Sequence, residues 1–95
     1  MYKVSEDIRS THGRDGAVVL DIRQGQMFNL NVVGARMLQL LSAGRAENEI
    51  IAEISGEFSV STGAVETDLV QFIQVLTRYH LLEISDSVDD LSTTT

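Results

Sequence analysis

The chain has 95 residues, a formal net charge of −7, no cysteine, no proline and no tryptophan, and 43% of its residues are hydrophobic. That length allows one domain, since single domains usually run to about 100–150 residues, and its modest core must hold without staples. The lack of cysteine excludes a disulfide framework, a thiolate metal site and cysteine nucleophilic chemistry.

Met1 to Asp7 carries no apolar run, so neither a signal peptide nor a membrane anchor is expected there. No stretch approaches the roughly 20 apolar residues of a transmembrane helix, and the cytosol is the expected compartment. Nucleic-acid binding draws most of its affinity from clustered Lys and Arg. With one lysine and six arginines in the chain, no nucleic-acid partner is expected. The charge is also uneven: residues 1–45 are net +2 and residues 46–95 net −9. Such a contrast fits a polar partner surface or a solvated acidic face.

Along the chain, the alternation of Val4, Glu6 and Ile8 predicts a short first strand over 4–10, followed by a polar loop holding His12. Asp15-Gly16 reads as a turn. The β-branched run Ala17 to Ile22 predicts a strand, and Gln26 to Leu30 a second. Between them, Arg23-Gln24-Gly25 is a three-residue hairpin loop with glycine at the left-handed position. Phe28 and Leu30 share one face of this hairpin, Met27 and Asn29 the other. Asn31 is placed to cap a first helix whose stripe is Val33, Met37, Leu38, Leu40 and Leu41, ending at Ser42-Ala43-Gly44. A second helix starts near Glu47, with Ile50, Ile51, Ile54 and Phe58 on one stripe and Glu49, Glu53 and Glu57 on another, and it lacks a good N-cap. Ser61 caps the third and longest helix, whose apolar stripe runs Val65, Leu69, Phe72, Ile73, Leu76 and His80. Residues 85–95 are polar and acidic and predict a disordered tail.

These elements give an α+β fold, winged helix-turn-helix-like. An N-terminal two- or three-stranded antiparallel sheet precedes three helices, in a domain over residues 1–84 with a tail over 85–95.

The order and spacing of certain residues now carry a resemblance. A β-hairpin ends in Phe28-Asn29-Leu30-Asn31 with Gly34 three residues on. The first helix closes on Leu40-Leu41, Glu49-Ile50-Ile51 follows, and Asp68 precedes Phe72 and Leu76 with Leu81-Leu82 closing. Over about residues 15–83 this resembles the PqqD family, also called the RiPP recognition element, whose members guide modifying enzymes to ribosomally made precursor peptides. The chain departs from the family where Arg45-Ala46-Glu47 stands in place of a common Thr, and where His80 stands in place of a common Gly.

The resemblance implies a non-catalytic adaptor that binds the leader segment of a precursor peptide by strand addition and presents it to a separate maturation enzyme. A lasso-peptide leader peptidase is the favoured enzyme. The alternative is PqqD proper, which serves a radical SAM enzyme in pyrroloquinoline quinone synthesis. It implies no cofactor and no metal. The implied peptide-binding residues are Met27, Phe28, Asn29 and Leu30 at the sheet edge, with Asp68, Gln71, Phe72, Val75 and Tyr79 on the third helix. Wheel geometry alone leaves open the opposite flank, Val70, Thr77 and Leu81. Phe28, Leu30 and Phe72 also read as core, and Asp68 as an acidic residue favoured near a helix N-terminus. An exposed edge can also pair with a second copy in a homodimer.

Three other function classes fit the residues less well. A winged-helix DNA-binding regulator needs a basic recognition helix, whereas the third helix offers Glu66, Asp68 and only Arg78. An enzyme would have to work with His12 and His80, and no hydrolase, metalloprotease or phosphate-loop motif is present. An acyl carrier needs an Asp-Ser-Leu serine at a helix start, and the nearest match, Asp86-Ser87-Val88, sits in the tail.

Overall fold

A computed structural model describes residues 2–84. The predicted tail, and with it Asp86-Ser87-Val88, lies outside the described residues. The architecture is α+β, an N-terminal antiparallel sheet followed by three helices. The elements are β1 (Tyr2–Val4), β2 (Ile8–Gly13), β3 (Gly16–Asp21), β4 (Gln26–Leu30), α1 (Val32–Ser42), α2 (Glu47–Phe58), α3 (Thr62–Arg78) and β5 (Leu82–Ile84).

The main sheet is the meander β2-β3-β4. A two-residue turn, Arg14-Asp15, makes Gly13 and Gly16 its closing pair. Gly16 has φ +133, and a Cβ there would fall onto the Leu30 carbonyl, so glycine is required. The predicted hairpin of β3 and β4 forms with Gly25 left-handed at φ 69. Its loop is one residue longer than expected, because β3 ends at Asp21 and leaves Ile22 in the turn. Asp21 is buried and holds that loop: its Oδ1 accepts from the N–H of Arg23 at 3.1 Å and of Gln24 at 3.3 Å.

Two features correct the expectation for residues 1–16. The single strand over 4–10 is really two, β1 and β2, separated by a turn, and His12 lies in β2 rather than in a loop. The second sheet was not foreseen: β1 pairs antiparallel with β5, with Tyr2 opposite Ile84 and Val4 opposite Leu82. Ser5 N–H extends this joint to the Leu81 carbonyl at 2.9 Å.

The helices form where period and caps predict them. Asn31 Oδ1 accepts from Gly34 N–H at 2.8 Å, and Ser61 Oγ accepts from Ala64 N–H at 3.3 Å. At the start of α2 Ala46 has no capping side chain, but Glu49 reaches back to accept from Ala46 N–H at 3.0 Å. Leu41, Ile50, Ile54 and Leu69 are fully buried where the helices meet. Burying one such side chain contributes roughly 1.5–3 kcal/mol.

Part of the charge contrast is internal. Arg36 of α1 donates to Glu53 at 2.7 Å and to Glu57 at 2.8 Å. Arg45, just before α2, donates to Glu53 at 3.0 Å and to Glu49 at 3.4 Å. The acidic stripe of α2 therefore braces α1 rather than facing solvent alone, although such half-exposed pairs contribute only about 0–1 kcal/mol each.

Candidate functional site

Ladder parity decides which backbone groups of β4 are free. Gly13 and Gly16 form a hydrogen-bonded pair, and Ile22 N–H donates to the Asp7 carbonyl at 2.9 Å. Pairs alternate along an antiparallel ladder, so Val18 and Leu20 bond to β2, while Ala17, Val19 and Asp21 bond to β4. Their register partners Leu30, Phe28 and Gln26 thus point their N–H and C=O groups back into the sheet. Met27 and Asn29 turn theirs to the open edge.

Beside that edge lies the C-terminal half of α3. Residues 72, 75 and 79 recur at helical spacing and present Phe72, Val75 and Tyr79 toward Phe28 and Leu30. The Phe28 and Tyr79 rings sit with centroids 5.2 Å apart and tilted by 58°, a favourable aromatic geometry. Between them is a cavity of about 40 Å³ lined by these five side chains together with Ile8, Val19, Leu38, Leu76 and Leu81. Small-molecule pockets run to about 300–1,000 Å³. This cavity instead suits the tip of one apolar side chain entering from the edge. Gln24 of the β3–β4 loop donates to the Tyr79 carbonyl at 3.1 Å and ties the hairpin to the helix end.

The end of α3 sets the position of Tyr79. His80 N–H bonds to the Thr77 carbonyl at 3.0 Å and Leu81 N–H to the Leu76 carbonyl at 2.8 Å. Together these make a Schellman cap, whose C′ residue must be left-handed. That residue is His80, at φ 62. The apolar stripe therefore ends at Leu76: His80 is exposed and outside the helix, contrary to its placement on the stripe. A left-handed position of this kind favours glycine, the residue that the resemblance expects there.

Of the nine residues singled out from sequence, Phe28, Leu30, Phe72, Val75 and Tyr79 meet around the cavity. Met27 and Asn29 supply edge backbone, while their side chains are exposed on the far face of the sheet. Asp68 and Gln71 are exposed and do not line the cavity. On the opposite flank, Val70 and Thr77 are exposed and away from the cavity, but Leu81 is buried against it. Ile8 and Leu38 were missed, because Ile8 stood in a polar stretch and Leu38 read simply as core. Among the described residues no group of three His, Cys, Asp or Glu is placed to hold a metal. His12 is exposed, and its ring nitrogens pair with Ser10 Oγ at 3.1 Å and Gln39 Nε2 at 3.4 Å.

The sequence model of the family described as coenzyme PQQ synthesis protein D (PqqD) matches residues 16–82, well over half of the chain. The chain belongs to the PqqD family. No curated protein matches it. Among solved structures it is similar to TbiB1 in complex with the TbiA(beta) leader peptide, at 38% identity and TM-score 0.78, covering 88% of this chain and 99% of that one. It is also similar in fold to lasso peptide synthetase B1 complexed with the leader peptide, at 22% identity and TM-score 0.77, covering 87% and 98%. The segment matched to the PqqD family runs from β3 into β5 and takes in all three helices.

Proposed function

We propose that this chain is a non-catalytic adaptor of lasso-peptide synthesis, which captures the leader of a precursor peptide as a fourth strand on β4 and delivers it to a separate leader peptidase in the cytosol. One observation carries the reading: the edge groups of Met27 and Asn29, unpaired among the described residues, lie beside an apolar cleft walled by Phe28, Phe72, Val75 and Tyr79. Strand addition needs both, main-chain partners for affinity and flanking pockets for selectivity. The 38%-identical relative solved with a leader peptide supports the same reading.

The matched family's description, coenzyme PQQ synthesis protein D, supports a second reading, a place in PQQ synthesis, where the resemblance implies a radical SAM enzyme as the recipient. The reading has no part for nucleic acid, since Glu66 and Asp68 stand exposed on α3, nor for a membrane. The open β4 edge serves either a leader or a second copy, so a homodimer formed through it would compete with leader binding.

Fluorescence anisotropy of a labelled leader, taken from each short candidate precursor peptide encoded near this chain, tests the proposal. Saturable 1:1 binding that fails with a scrambled leader is expected. A leader that binds no better than its scrambled form would overturn it.

A further inference from the structure

The face of the sheet turned away from α1 is unusually apolar. Val18 and Leu20 of β3, Ile22 of the following loop and Met27 of β4 all point outward, at 40, 42, 53 and 66% exposure. Register sets Arg9, Leu20 and Met27 in one row across the sheet, and Thr11, Val18 and Asn29 in the next. The solvated face of an antiparallel sheet normally alternates to polar residues. Contiguous exposed apolar side chains on a small domain mark an interaction surface.

We propose that this face docks the maturation enzyme, through an apolar patch on that enzyme bordered by carboxylates. The proposal rests on the adaptor reading above. Two observations select this occupant. The first is charge. Arg9, in the row with Leu20 and Met27, donates only to the main-chain carbonyls of Glu6 and Ile8, and it has no carboxylate partner among the described residues. Arg23, beside Ile22, is 74% exposed, with Asp7 its partner at 3.2 Å. The two rows hold no carboxylate, so a second copy packed on this face offers Arg9 no counter-charge from them, which favours an acidic counterpart of another kind.

The second observation is continuity. The patch ends at the β4 edge, and a strand added there extends the same surface. Every second leader residue then stands beside Met27. An enzyme seated on this face reads sheet and leader as one surface, so it binds the loaded adaptor more tightly than the empty one.

The test uses the full chain, its labelled leader and the purified leader peptidase from the same gene cluster. The variant is L20E/I22E, with L20T/I22T as a second that keeps β-propensity; neither residue belongs to the leader groove. Leader affinity should stay within about twofold, while peptidase affinity for the loaded adaptor falls about tenfold or more in L20E/I22E and less in L20T/I22T. Unchanged peptidase affinity in both variants would overturn the proposal. So would a wild-type dimer in sedimentation that L20E/I22E dissolves, because a second copy would then own the face. If wild-type chain fails to bind leader at all, the adaptor reading falls first and this one with it.

Discussion

At the β4 edge, the free N–H and C=O groups of Met27 and Asn29 sit beside Phe72, Val75 and Tyr79. At the β2 edge, those of Ser10 and His12 border a hollow of about 590 Å³ whose lining mixes Ser5, Glu6, Gln39 and Ser42 with Tyr2, Val4, Ile8 and Leu38. The main chains offer the same donors and acceptors, and the β2 edge has by far the larger space. Neither hydrogen-bonding capacity nor room therefore distinguishes them. Side-chain chemistry does. A peptide laid on β4 meets a wholly apolar cleft and can remove that surface from water, at about 25 cal/mol per Å², whereas on β2 it would meet a mixed lining in which hydrated polar groups interrupt the apolar ones. The lesson is that an edge becomes a peptide site through what flanks it.

The sharpest way to break this contrast is to give the β4 cleft the character of the β2 hollow. Val75→Glu places a carboxylate in the cleft, where it must be desolvated by a bound leader. Titration should show leader affinity weakened about 100-fold, with a stability change below about 0.5 kcal/mol because Val75 is exposed. Next comes a paired test of the backbone. Met27→Pro removes an N–H that faces the open edge and leaves the β3 ladder intact, so leader affinity should fall about tenfold. Ser10→Pro does the same at the β2 edge and should leave affinity within about twofold.

Stability separates the next two predictions from binding. His80 holds a left-handed conformation that costs a non-glycine residue about 1 kcal/mol. Denaturant unfolding of His80→Gly should show a gain of about 0.5–1 kcal/mol, with leader affinity unchanged because Gln24 still fixes Tyr79 through its carbonyl.

The smallest effect lies far from either edge. The Ala46 N–H, and then Arg45, hold the Glu49 carboxyl below the usual carboxylate range. A carboxyl whose folded pKa is depressed contributes stability above its unfolded pKa and loses it as pH falls through the folded one. As pH falls from about 4.5 through the lower folded pKa, α2 therefore progressively loses its N-terminal anchor, and Glu49→Gln should flatten that limb of the urea midpoint against pH.

Local pattern explains what could be read in advance. The hairpin, the caps Asn31 and Ser61, and the three helices follow from periods of 2 and 3.6 and from residues adjacent in sequence. So did the grouping of Phe72, Val75 and Tyr79 with Phe28 and Leu30, once the family's strand-addition site was in view. The β1–β5 pair was invisible, because three-residue strands hold no period and their partners stand at opposite ends of the domain. His80 fitted the wheel of α3 only because angular position says nothing of where a helix stops. Asp68 lies on the flank beside that stripe, one turn before Phe72, and does not line the cavity. Ile8 enters the cavity wall only through the tertiary fold.

Amide hydrogen exchange with and without the leader peptide tests strand addition at β4 most directly. Met27 and Asn29 should become strongly protected when leader is added, while Ser10 and His12 exchange as before. Protection at Ser10 and His12, or none at Met27 and Asn29 under saturating leader, would contradict it.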